Sequence, residues 1–357
     1  MSEKNATVNR KYFAASNSFT GFTSYFDKIF NPSDFSHLYI LKGGPGTGKS
    51  SFMKRVRDHF AHLHLDVEEI YCSSDPKSLD GIIIGNENDK IAIIDGTAPH
   101  EQGTALPGAV DDIINLGQNW DSHWLISGRD KILALNAEKK KAYSAAYKYL
   151  GIGKAAFEYI KDTHLKHFDY GSASNYALSF LKDEKTADFT KEKIRLISAF
   201  SKEGYTTLDT LDEISEECIN INGSELDTFL LLDTLRHSAK LNGIPIQLSP
   251  SPLCGYFCDA VYFPESKRCI KIAREKDGNL NSASFTRGIP DSEKESIKKA
   301  HELLEEAKQE AVRWFNIASD FHFRLEDIYS AAMIFEENEK SIIKTIEDIE
   351  ILFDKDK

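Results

Sequence analysis

Eight residues constrain this chain more than any other segment: Gly43-Gly44-Pro45-Gly46-Thr47-Gly48-Lys49-Ser50. They fit G-x-x-x-x-G-K-[ST], the Walker A pattern, which is informative only between a strand and a helix. Both flanks are present. Residues 37–42, HLYILK, read as a buried strand that runs into the glycines. From Ser50 to about Leu63, Phe52, Val56 and Phe60 recur four apart, as on one face of a helix. Glycines let successive backbone N–H groups curl around phosphate oxygens without Cβ clashes, and the following helix aims its positive end at the same anion. The expected ligand is ATP, held by Gly43, Gly44, Pro45, Gly46, Thr47, Gly48, Lys49, Ser50 and Ser51. Lys49 is expected to reach the β- and γ-phosphates, and the Ser50 hydroxyl to ligate Mg²⁺.

Asp95 is the natural partner of this loop. It closes a third apolar strand, KIAIID at 90–95, as a Walker B acid does, and a carboxylate at a strand's C-terminal end can hold Mg²⁺. The expected metal ligands are therefore Ser50 and Asp95. The residue that activates water is less plain, because Gly96 stands where many ATPases carry Glu. The loop beyond it offers His100, Glu101 and Gln102, of which Glu101 is taken as catalytic with Lys49 and Asp95. Asp75 and Asp80 are less conventional options.

Strand–helix–strand alternation here argues for an α/β protein with a parallel sheet. The lead-in at 10–30 reads as helix-bearing, 77–84 is ambiguous, and the chain turns helical from about Ala109. Two helices, 131–150 and 154–168, are expected to form a hairpin about Gly151-Ile152-Gly153. The polar stretch 182–193 is the linker candidate. Beyond it the plan recurs: a helical lead-in (203–217), a strand (218–222), a helix (226–241), strands near 244–248, 259–263 and 269–273, and charged helices at 291–318 and 322–353. Sliding the chain by 179 residues aligns 44–95 with 223–274 without a gap. Only five of the 52 positions are identical, Asp80 with Asp259 among them, but the apolar pattern persists. The chemistry does not. Lys49 falls on Thr228, Ser50 on Phe229 and Asp95 on Arg274, and the loop GSELDTF (223–229) has gained Glu225 and Asp227, which would repel phosphate. The expected organisation is two tandem P-loop NTPase-type repeats, each with a helical hairpin appended. Residues 1–185 carry the intact loop and the hairpin 131–168; residues 186–357 form a degenerate copy with the hairpin 291–353.

The segments KYFAASNSFTGFTSYFD, YILKGGPGTGKSSFMKRV and IIDGTAPH, followed by PGAVDDIINLGQNWD at 107–121, resemble an uncharacterised bacterial family, found in Firmicutes, of tandem P-loop ATPases. The resemblance covers nearly the whole chain. It implies two P-loop-like halves with helical insertions and a nucleotide-binding ATPase, with no established substrate. The second half departs from it where a glycine-rich loop is expected and GSELDTF stands.

Composition narrows the alternatives. The net charge of -12 makes a poor match for a phosphate backbone, so nucleic acid is not an expected partner. The imbalance is local: residues 1–180 hold 20 basic and 21 acidic side chains, residues 181–357 hold 24 and 35. Five scattered cysteines fit reduced thiols, which together with the lack of a signal-like N-terminus and of long apolar runs points to a cytoplasmic protein without membrane contact. Cys254, Cys258 and Cys269 read as buried thiols before zinc ligands, and His59, His62 and His64 as solvated histidines. Lys139-Lys140-Lys141 reads as a solvated helix face, and Trp314, Phe315, Phe321 and Phe323 read as core. The helical hairpins are the expected surface for a protein partner or a homodimer. Three functions compete: an ATPase with one working site, a P-loop kinase acting on a small molecule, and a non-hydrolytic nucleotide sensor or scaffold. Arg129 is the only arginine between Asp95 and the linker, which counts against a kinase lid.

Overall fold

The computed structural model describes residues 9–61, 65–86, 89–187, 192–274, 277, 280–282 and 284–354. His62, His64 and part of the expected linker lie outside the described residues. The chain opens with strand β1 (Asn9–Phe13), the hairpin β2 (Ala15–Ser18) and β3 (Gly21–Ser24), and the short helix α1 (Phe26–Ile29). Then come β4 (His37–Lys42), α2 (Lys49–Ala61), β5 (Asp66–Tyr71), β6 (Leu79–Gly85), β7 (Lys90–Asp95) and β8 (Asp111–Asn115). Helices α3 (Ser122–Ser127), α4 (Arg129–His167) and α5 (Tyr170–Leu181) follow. The second pass runs β9 (Glu192–Ile194), β10 (Ser198–Ser201), β11 (Gly204–Thr207), α6 (Thr210–Ile214), β12 (Glu217–Asn222), α7 (Glu225–Leu241), β13 (Ile246–Pro250), β14 (Cys258–Phe263), β15 (Arg268–Ile272) and β16 (Leu280–Ser282). It ends in α8 (Asp291–Ala331) and α9 (Phe335–Asp354).

The strands form two six-stranded sheets with one plan. The first has the order β1-β5-β6-β7-β4-β8, the second β9-β13-β14-β15-β12-β16. Strand for strand the order is the same, and so is every pairing sense. The β2–β3 hairpin and α1 recur as β10–β11 and α6. The fold is α/β, but its sheets are mixed, which corrects the parallel sheets expected. β6 and β14 run antiparallel to both neighbours. The cause is connection length: β6 joins β7 through four residues and β5 through seven, too few for a crossover.

Two compact units partition the chain. One comprises residues up to 15, 24–144 and from 314; the other comprises 16–23 and 145–313. These units are discontinuous in sequence, because α4 and α8 each begin in one unit and end in the other. In the first unit, α2 buries Phe52, Met53, Val56 and Phe60 against Ile82, Ile84, Ile91 and Ile93 of the sheet, and α9 adds Ile342 and Ile349. In the second unit, α5 and α7 pack together and α7 covers β14 and β15.

The helices differ from the expected hairpins. α4 is a single helix of 39 residues, about 58 Å at 1.5 Å per residue. Gly151 and Gly153 stay inside it. A Cβ at Gly153 would lie 3.3 Å from Leu304 and 3.4 Å from Ala307, so the glycine serves close helix packing rather than a turn. α8 runs through the expected break at 318–322, because Ala311, Phe315, Ala318 and Leu325 keep one face buried across it. Phe323, expected in the core, is exposed. The lead-ins at 10–30 and 203–217 are strands and hairpins with only short helices, and β8 occupies the start of the region read as helical from Ala109. Cys218 and Cys269 are register partners on β12 and β15 and form a disulfide with Cα atoms 4.7 Å apart, correcting the reading of five reduced thiols. Among the described residues no helix is long and apolar enough to cross a membrane.

Candidate functional site

The glycine loop 43–48 links the C-terminal end of β4 to the first turn of α2 within the first unit. Gly46 and Gly48 adopt φ of +69° and +83°, a region costly for any residue with a Cβ. The first turn of α2 contains no acid, so its unpaired N–H groups and positive dipole end are not neutralised locally. Thr47, buried, closes the loop by donating from Oγ1 to the Gly44 carbonyl at 2.9 Å. Lys49 Nζ folds back along the loop and donates to the carbonyls of Gly43 and Gly44 at 3.1 and 2.9 Å.

Asp95 meets this lysine because β7 pairs in parallel with β4, placing Asp95 opposite Leu41 at the same sheet end. Asp95 Oδ2 lies 3.6 Å from Lys49 Nζ, while Oδ1 accepts from the Thr97 N–H and hydroxyl. The Ser50 hydroxyl accepts from the Leu79 N–H at 2.9 Å. That contact ties the helix to the start of β6, where Asp80 follows.

Asp80 and His100 complete the cluster. Both are buried, and His100 Nε2 lies 3.4 Å from Asp80 Oδ2. The His100 ring is stacked on Phe26, 4.2 Å between centroids and 3° from parallel. Lys42 holds the intervening loop by donating to the carbonyls of Gly96 and Gln102. One ligand atom from each of Asp80, Asp95 and His100 falls within 4.8 Å of the other two, a donor set that suits a divalent cation. Burial opposes protonation of His100. The hydrogen-bonded Asp80 carboxylate and the nearby Asp95 outweigh it and raise the imidazole pKa.

The expected residues thus separate. Lys49, Ser50, Asp95 and the loop glycines share one locality, and Asp80 and His100 join them. Glu101 is exposed and lines a different depression, with Asp27, Phe30, Asn31 and Pro32. Gln102 donates to Asp27 at 2.7 Å. Sequence reasoning missed the residues of α8 and α9 that reach the loop, Glu326, Ser330 and Asn338. They lie almost 300 positions away and belong to no motif. Glu326 is held below its usual pKa by the hydrogen-bonded His322, with Lys49 and Lys139 adding to the pull. Lys139 itself is half-buried rather than fully solvated, and its pKa is lowered by burial and by Lys140.

The equivalent place in the second unit is built differently. Two residues, 223 and 224, join β12 to α7, where six join β4 to α2. Ser224 caps α7, accepting from the Asp227 N–H. Asp227, at the position aligned with Gly48, is buried and accepts from Ser284 Oγ, the N–H groups of Phe285 and Thr286, and Thr286 Oγ1. Arg274, aligned with Asp95, pairs with Asp209 at 3.0 Å.

Comparison with protein-family models, curated proteins and solved structures finds no match to this chain.

Proposed function

We propose that the chain binds Mg-ATP at the loop 43–50 and hydrolyses it at this single site, the second repeat being a degenerate copy. On this reading it is a member of the tandem P-loop ATPases that its motifs resemble, and the doubled strand order supports a tandem origin. The observation that carries the reading is the meeting of Lys49, Asp95 and an uncompensated helix N-terminus around a glycine loop at one sheet end. Each is an ordinary feature alone. Together they supply N–H donors, a mobile ammonium and a carboxylate where a phosphate chain and its counter-ion need them.

The donor set accommodates the cation. Ser50 and Asp95 would hold Mg²⁺, with Asp80 and His100 beside them. A bound Mg²⁺ would offset negative charge on the β- and γ-phosphate oxygens. Lys49 would exchange the carbonyls of Gly43 and Gly44 for phosphate oxygens, gaining charge-assisted hydrogen bonds for neutral ones. The Asp80–His100 pair is a better candidate than Glu101 for orienting water or holding its proton, since His100 is in the cluster and oriented by Asp80.

A calorimetric titration with Mg-ATP and a phosphate-release assay test the proposal. Binding in the wild type and at least tenfold weaker binding in Lys49→Ala are expected, with phosphate release lost. Binding without release would favour the sensor; ADP formation only with an added small-molecule acceptor would favour the kinase. No saturable binding by the wild type would end the nucleotide reading.

A further inference from the structure

Ser330 and Asn338 belong to no motif, yet both grip the backbone of the glycine loop inside the first unit. Ser330 Oγ donates to the Gly46 carbonyl at 3.1 Å, and Asn338 Nδ2 donates to the Thr47 carbonyl at 2.8 Å. Asn338 is buried, and its Oδ1 accepts from Asn119 Nδ2 at 3.0 Å, so its amide is fixed from both ends. The contact is close. A Cβ on Gly46 would fall 2.5 Å from Ser330 Oγ and 2.6 Å from the Glu326 carbonyl, which leaves room only for glycine.

The direction of these bonds matters more than their strength. In a planar trans peptide the C=O and N–H point opposite ways. Holding the carbonyls of Gly46 and Thr47 against α8 and α9 turns the N–H groups of Thr47 and Gly48 to the other side of the loop. Two consecutive N–H groups on one side, beside a glycine at positive φ, are the makings of an anion cradle. Without the two tethers those peptides could rotate about glycine at little cost and present carbonyls to the phosphate instead.

We propose that Asn338 and Ser330 are positioning residues for the phosphate-binding loop, so that nucleotide affinity in the first unit depends on the α8–α9 junction. The inference rests on the nucleotide reading above. It assigns neither residue a contact with the nucleotide. Both act through the peptides they hold.

The test compares wild type, Lys49→Ala, Ser330→Ala and Asn338→Ala in full-length protein, with Mg-ATP as the probe. Each tether lost is expected to weaken binding and raise KM about tenfold, the worth of one hydrogen bond. The kcat should stay within about threefold, because a cradle for ground and transition states alike gives uniform binding. Melting without nucleotide reports the purely structural share, and Ser330→Ala decides the matter if Asn338→Ala does not fold. Binding that Lys49→Ala weakens but both tether variants retain at wild-type KM would overturn the positioning role alone. A wild type that binds no Mg-ATP would overturn both readings.

Discussion

His100 shows how much a single side chain depends on its surroundings here. Its raised pKa means that the folded protein holds the ring's proton more tightly than the unfolded chain does. The stability it contributes is therefore fully present below the ordinary histidine pKa of about 6.5 and is lost as pH rises through the higher folded value. His100→Asn leaves Asp80 buried without its partner and should cost about 3 kcal/mol in acid. The difference from wild type should shrink as pH is raised from about 6 through the raised folded value. Urea melts at both ends of that range check the sign, and a difference that grows with pH would contradict the ion-pair account. Legibility at this scale was uneven. Lys49, Ser50 and Asp95 were readable because their motifs are local. Asp80 was only one acid among several until the antiparallel β6 brought it beside β7.

At the scale of elements, α9 is the piece whose role the sequence hides. Its buried stripe, Asn338, Ile342, Thr345 and Ile349, divides its work. Asn338 reaches the loop, while Ile342 and Ile349 join Phe52, Val56 and Phe60 of α2 in the core. Ile349 is fully buried and Ile343, one face away, is 49% exposed. Ile349→Ala should therefore cost roughly 3 kcal/mol, and Ile343→Ala less than about 0.5 kcal/mol. Denaturant midpoints of the two variants check this, and equal costs would mean that α9 does not dock as described. Periodicity alone found β4, β7 and α2 correctly, because a continuous apolar run and a four-residue repeat need no tertiary information. It could not give strand direction, which set β6 apart from the expected parallel plan. It also mistook Gly151-Ile152-Gly153 for a turn, since a glycine kept small for close helix packing looks in sequence like one kept free to bend.

Across the whole molecule, two copies of one strand order carry unequal chemistry. Two acids of the second half, Glu225 and Asp227, stand in the first turn of α7, where the first turn of α2 in the first copy carries none. Asp227, in the first turn of α7, is itself satisfied from within the chain: its carboxylate collects the N–H groups of Phe285 and Thr286 and two hydroxyls. Asp227→Ala should destabilise the second unit by about 3 kcal/mol, since it removes a buried acceptor and leaves four donors without it. It should not create a second nucleotide site. Removing the acid still leaves only two residues between β12 and α7, too short a loop to wrap a phosphate as proposed for the six residues 43–48. Calorimetry should accordingly give one Mg-ATP per chain for the wild type and for Asp227→Ala, with binding at least tenfold weaker for Lys49→Ala. A stoichiometry of two in the wild type would show that degeneration of the loop did not abolish binding, and that charge and loop length are the wrong criteria for telling the two copies apart.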